Sequence, residues 1–317
     1  MINSDYQYTT TYSDIDAINL LSNSTYIYSY SAEERSRVVV DSLKAKYKDI
    51  VSFIQLEWKD EEEDIIKNTF TNQEYSLRSK ENISALLNAS PSNTLYIDVS
   101  GLNNRISAAL LKNILSDDLS LSTNVLVLYA EPESYKIKRF SSESVYIDLS
   151  EKINGIKPLP GFANIIPDDI DYKFIALLGF EGGRFTHLVN NVQPAEDNII
   201  PVIGVPGYRM EYPFVAYWGN RNGLNTTGAW ANIKYAAANS LVNVYLLLDK
   251  IHRKNPKSKI KLAPIGTKPH AIGAILFAIK HPKEVEIVYD NPKRKIERTR
   301  GVGLIVVCDV SKLIREN

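Results

Sequence analysis

Residues 259–280 read KIKLAPIGTKPHAIGAILFAIK. A short apolar run, Lys259 to Ala263, enters the turn Pro264-Ile265-Gly266-Thr267-Lys268-Pro269-His270 and leaves it as an almost wholly apolar stretch, Lys268 to Lys280. A buried strand followed by a helix without a polar face fits a parallel sheet covered on both sides. The turn has the parts of a helix start. Gly266 permits close backbone approach, Thr267 suits the N-cap and Pro269 suits the first helical turn.

The same alternation extends outward. Thr25 to Tyr30, Ile50 to Leu56, Thr94 to Val99, Asn124 to Tyr129, Phe174 to Leu178 and Ile199 to Ile203 read as strands. Val38 to Tyr47, Ile83 to Leu87, Ile106 to Ile114, Arg184 to Val192 and a long Ala229 to Ile251 read as helices, and Ser31-Ala32-Glu33-Glu34 matches the capping box. Glu284 to Tyr289 and Val302 to Val310 predict a closing C-terminal strand hairpin over the basic stretch Lys293 to Arg300. That stretch and the acidic run Asp60 to Asp64 read as solvated loops. The expectation is a single α/β domain over 1–317, a doubly wound, mainly parallel Rossmann-like sheet, with 131–172 as an irregular insertion. Strands 95–99, 125–129, 174–178, 199–203 and 259–263 are expected in that one sheet.

Composition narrows the function classes. The 317 residues carry 37 Lys+Arg against 37 Asp+Glu, so no bulk charge draws the chain to nucleic acid or an anionic membrane. The single cysteine, Cys308, excludes an internal disulfide and a cysteine-based zinc site, and the four histidines are scattered, so no metal is expected. No apolar run approaches the ~18 residues of a membrane span, and Met1 to Thr11 has no signal-peptide core. A cytoplasmic location without membrane contact is expected.

In an open α/β sheet, ligands bind beyond the carboxyl ends of the strands. Four such junctions stand out. Gly266, Thr267 and Lys268 form either an anion cradle at a helix start or a plain helix cap. In Gly179-Phe180-Glu181-Gly182-Gly183-Arg184, Arg184 can grip a phosphate with Glu181 as orienting group or base, or the two form an ion pair across a tight turn. Asp98, ahead of Ser100, can accept from a ribose hydroxyl, hold a metal-bound water or pair with Arg105. Tyr129 and Glu131 can stack on a base and read an amine, or simply pack. Gly204 to Tyr208, with Trp218 and Asn220 to Asn222, has the composition of a pocket rim. Asp98, Glu181 and His270 are the acid–base candidates, although a helix-start histidine facing solvent is the plainer reading of His270. Asp98, Glu181, Arg184 and Lys268 are expected to face one cleft.

The Gly266-Thr267-Lys268 junction, followed by its apolar helix, resembles the strand-to-helix turn of CRISPR-associated Rossmann fold (CARF-like) domains. Those domains carry a T-G-G-T-K-like turn that contacts cyclic oligoadenylate; here Pro264 and Ile265 replace the first two residues. Glu34-Arg35-Ser36, Glu131-Pro132 and Gly179-Phe180-Glu181-Gly182 are similar to segments of uncharacterised bacterial proteins associated with defence loci. The resemblance implies a protein of antiviral defence that senses or holds a nucleotide or other phosphorylated ligand and acts through a protein partner or a homo-oligomer. An enzyme acting on nucleotides or phosphodiesters, and a structural subunit of a larger complex, are the alternatives.

Overall fold

The computed structural model describes residues 4–61, 64–116, 123–136, 149–163, 170–296 and 298–317. They form two compact units. Unit 1 comprises Met1–Lys136 and Ile296–Asn317, and unit 2 comprises Ile137–Lys295. Unit 2 is thus an insertion within the sequence of unit 1.

The first segment of unit 1 runs through β1 (Thr9–Tyr12), β2 (Ser24–Tyr28), α1 (Arg35–Tyr47), β3 (Val51–Asp60), β4 (Ile65–Asn68), β5 (Glu74–Ser76), α2 (Lys80–Asn88), β6 (Thr94–Asp98), α3 (Asn104–Ser116), β7 (Asn124–Ala130) and β8 (Ser134–Tyr135). Unit 2 adds β9 (Ser150–Ile153), β10 (Tyr172–Leu177), α4 (Gly182–Val192), β11 (Ile199–Gly204), α5 (Tyr212–Thr226), β12 (Lys234–Ala236), α6 (Leu241–Lys254), β13 (Lys259–Pro264), α7 (Lys268–Lys280), β14 (Val285–Ile287) and β15 (Pro292–Arg294). The chain ends in unit 1 with β16 (Thr299–Arg300), β17 (Ile305–Asp309) and α8 (Val310–Glu316).

Unit 1 is built on a mixed eight-stranded sheet, order β1-β17-β7-β6-β2-β3-β4-β5. Its middle strands β7, β6, β2 and β3 are parallel, and antiparallel strands extend both edges. Every residue of β2 and β6 is buried, as a strand covered on both faces demands. Val39, Val40 and Leu43 of α1 join Tyr26, Tyr28, Tyr96 and Leu128 in one apolar cluster.

Unit 2 is built on a wholly parallel five-stranded sheet, order β12-β11-β10-β13-β14. Its chain starts at the central β10, steps outward to β11 and β12, then returns to β13 beside β10 and continues to β14. The point where strand order reverses lies between β10 and β13. Phe174, Ala176 and Leu178 cluster with Phe185 and Leu188 of α4 and Ala216 and Leu224 of α5. Ile175 and Leu177, on the other face, are equally buried.

The α/β class holds, and the single sheet does not. Strands 95–99 and 125–129 belong to unit 1, and 174–178, 199–203 and 259–263 to unit 2. Apolar runs of equal length carry no mark of which sheet they join, so two sheets read as one domain. The expected C-terminal hairpin is also absent: β14 pairs parallel with β13, whereas β17 lies between β1 and β7. The segment 131–172 spans the passage from unit 1 to unit 2, and its residues 137–148 and 164–169 lie outside the described residues. The long helix expected over Ala229 to Ile251 is a 3-10 turn at Ala229–Asn232, then β12, then α6, which starts on the Ser240 cap. The rim expected around Trp218 and Asn220 is the helix α5. The capping box does not form: the Glu34 side chain makes no cap, and its carboxylate accepts from Gly301 N–H at 3.0 Å.

Gly182 shows why α5 escapes its composition. A Cβ on Gly182 would lie 1.9 Å from Gly219 O, so the helices α4 and α5 meet backbone to backbone. Gly183, one residue on, has nothing within 4 Å of such a Cβ. We expect Gly182→Ala to destabilise by about 2 kcal/mol or more through overpacking. Gly183→Ala is expected to be neutral or stabilising by up to ~1 kcal/mol. Urea melts of the two variants against the parent check the contrast.

Candidate functional site

The sequence-selected residues divide between the units. Asp98, Ser100, Tyr129 and Glu131 lie at the carboxyl ends of β6 and β7 in unit 1. Glu181, Gly182, Arg184, Gly266, Thr267, Lys268 and His270 follow β10 and β13 in unit 2. The sheet that carries Asp98 is therefore not the sheet that carries Glu181, Arg184 and Lys268.

In unit 1, polar side chains at the strand ends hold one another. Asp98 accepts from Tyr26 O–H at 2.8 Å and from Ser100 N–H at 2.8 Å. The Ser100 hydroxyl accepts from Ala130 N–H at 2.9 Å. Arg105 pairs with Asp64, its Nε 2.6 Å from Oδ1, so the acidic run ends in a buried ion pair rather than in solvent. Arg35 is buried, donates to Glu33 and to Ala130 O, and lies 5.0 Å from the Tyr129 ring centre. Burial opposes its charge, and Tyr129 and Glu33 more than restore it, so its pKa is raised. Arg298, from the supposedly solvated basic stretch, donates its Nε to Glu33 at 2.6 Å. Glu131 is buried.

In unit 2, the turns after β10 and β13 press together. A Cβ on Gly266 would lie 2.7 Å from Leu178 O and 2.9 Å from Leu177 O. The closeness that Gly266 permits is thus to the neighbouring strand end. Arg184 is buried and each of its three nitrogens donates: Nε and Nη2 to Asp290 at 2.7 and 2.6 Å, and Nη1 to Ile265 O at 2.8 Å. Burial lowers its pKa and the Asp290 contacts raise it further, for a net rise. Arg184 is therefore a strut between strand ends and not a grip on phosphate. Glu181 accepts from Leu149 N–H at 2.9 Å and from Arg294 Nη1 at 2.6 Å, which occupies both its oxygens.

Thr267 caps α7, accepting from His270 N–H, and donates to Ala238 O at 2.7 Å. Lys268 is half-buried in the first turn of α7, beside Pro269, which has no N–H to offer. His270 is wholly buried instead of facing solvent. Its Nε2 is 3.0 Å from Ala237 O, which sets Nε2 as the protonated nitrogen of a neutral ring. Burial holds its pKa at about 4. Asn220 of α5 donates through Nδ2 to Gly179 O at 2.7 Å and Ala216 O at 2.8 Å. Asn220 Oδ1 and His270 Nδ1 are buried acceptors with no hydrogen-bond partner among the described residues.

The ion-pairing roles of Asp290, Glu33 and Arg298 escaped the sequence, and Asn220, read as a rim residue, is a tie between α5 and the turn after β10. Asp290 lies three residues beyond β14, whereas Asp98 is the last residue of β6; in the sequence both carboxylates close an apolar run. The role of Asn220 is visible only once α5 is known to be a helix. Burial pushes the Cys308 thiol up to about 12, which leaves it unreactive at neutral pH. No helix among the described residues is long and apolar enough to cross a membrane. No family model matches the chain, and no protein of curated function matches it.

Two outcomes follow from these geometries. Arg184→Met leaves Asp290 buried without its cation and is expected to cost about 3–5 kcal/mol, whereas adding Asp290→Leu should recover part of the loss. A double-mutant cycle by urea melt measures both. For His270, the unfolded ring takes a proton near the ordinary 6.5 and the folded ring only near 4. Its contribution is fully present above pH 6.5 and falls away between pH 6.5 and 4, by ~3 kcal/mol at the lower limit. His270→Gln should flatten that part of the stability–pH curve relative to the parent.

Proposed function

We propose that unit 2 is a doubly wound, Rossmann-like ligand-binding unit that holds a phosphorylated small molecule, a nucleotide, where β10 and β13 end. The observation that carries this reading is the strand order. Counted along the chain, the five parallel strands lie 3-2-1-4-5, and the reversal falls between β10 and β13. Ligands of open α/β sheets bind at such a reversal, outside the carboxyl ends. The helix that starts there, α7, carries Lys268 in its first turn, where a cation and the helix dipole both favour an anion.

The CARF-like turn directs attention to adenine nucleotides, cyclic oligoadenylates among them, and so to a role in antiviral defence. Signalling through a partner chain rests on the exposed aromatic side chains of α5, Phe214 and Trp218 above all. Catalysis has weaker support. Glu181 is held by Arg294 and Leu149, and His270 is a neutral, sealed imidazole.

Titration calorimetry with ATP, AMP, NAD and cyclic oligoadenylates tests the reading. Lys268→Ala is expected to weaken binding by about 1.5–3 kcal/mol, the range for a charge-assisted contact, and to leave the urea midpoint unchanged. Thr267→Ala should cost ~1 kcal/mol of stability through loss of the cap and little affinity. A Lys268→Ala variant that is markedly less stable yet binds every nucleotide like the parent would reduce the turn to a helix cap.

A further inference from the structure

The outward face of α5 is aromatic where a solvent-facing helix is normally charged. Tyr212, Val215, Ala216, Asn220 and Leu224 turn inward, and the opposite face presents Phe214, Tyr217, Trp218 and Arg221. Met210, just before the helix, is 91% exposed, Phe214 76%, Trp218 45% and Tyr217 43%. Arg221 lies over the Trp218 ring, 4.2 Å from its centre, and Glu211 stands at the other end of the same face, exposed and in a surface ion pair with Arg209 at 3.2 Å that a second copy's arginine can share or replace.

We propose that this face is the contact between two copies of the chain, packed α5 against α5 in an antiparallel pair about a two-fold axis. The first argument is area. At roughly 200 Å² per large side chain, the exposed parts of these four residues amount to roughly 500 Å² on one copy. A facing pair then buries about 1,000 Å², the lower bound for a specific interface, before any polar neighbour is counted. The second argument is charge. A two-fold axis beside residue 216 sets Glu211 of each copy opposite Arg221 of the other, and in the same register Phe214 opposite Trp218. Antiparallel helices also align their dipoles favourably. Central aromatic side chains flanked by a charged pair are the usual composition of an energetic hot spot.

Sedimentation equilibrium on the full chain tests the proposal. The parent should reach twice its 35.7 kDa with rising concentration. Phe214→Glu combined with Trp218→Glu should weaken association by about 30-fold or more. Both positions are solvent-facing in the single copy, so at concentrations where the parent is monomeric the urea midpoint should be unchanged. A charge exchange serves as the second arm should that variant fail to fold. Glu211→Arg alone and Arg221→Glu alone should each weaken the pair, and the two together should restore it. A parent that stays monomeric to about 100 μM overturns the proposal. So does a dimer indifferent to both sets of variants, and so does a monomer that gains mass only on addition of single-stranded RNA. None of these outcomes bears on nucleotide affinity, so the dimer and the ligand site stand or fall separately.

Discussion

The Arg184 guanidinium ties together the ends of unit 2's central strands. It sits in the first turn of α4, just after β10, reaches the carbonyl of Ile265 after β13, and pairs through two nitrogens with Asp290 after β14. A buried cation is tolerable only when its donors are met, and here a carboxylate and a carbonyl meet them. The consequence is geometric. The turn after β10 cannot leave Asp290 without stranding a charge or leave the β13 turn without losing the Ile265 carbonyl, and Gly266 lets the β10 and β13 turns lie against one another. The carboxyl edge of this sheet is therefore rigid at its base, and Lys268 stands on that rigid base.

Unit 1 solves the same problem with different residues. Its parallel strands β3, β2, β6 and β7 also reverse their order, between β2 and β6, and Asp98 stands at that reversal. The charge there is again consumed internally, by Tyr26 and the Ser100 amide, while Arg35, Glu33 and Arg298 form a buried network of their own. Arg298 comes from the C-terminal segment of unit 1, so this network fastens the two chain segments on either side of the inserted unit. Parallel sheets end in rows of polar groups, and both units neutralise most of theirs with ion pairs and local backbone bonds. Against that background the buried polar atoms Asn220 Oδ1, His270 Nδ1 and His187 Nε2 of unit 2 stand among the exceptions.

α5 shows where local reading is weakest. Glycines and asparagines lower helix propensity, so Gly204 to Asn222 reads as a rim. Tertiary packing overrides that preference. Gly182 and Gly219 allow two helices to touch at the backbone, and Asn220 ties the helix to Gly179 O. Trp218, also read as rim material, emerges on its outer face.

The sequence by itself determined the elements with strong periodicity or strong ends. These are the buried strands read at 94–99, 124–129, 174–178, 199–203 and 259–263, and the apolar α7 with its Thr267 cap. Those signals are local, carried by side chains within a few residues of one another. Tertiary structure alone decided the division into two sheets, because hydrogen-bond partners of a parallel strand lie dozens of residues away and leave no trace in its own composition. It decided the partners of the charges for the same reason: Arg184 meets Asp290 across 106 positions and Arg298 meets Glu33 across 265. A charged residue announces that it needs a partner, but only the fold chooses between a ligand and another side chain.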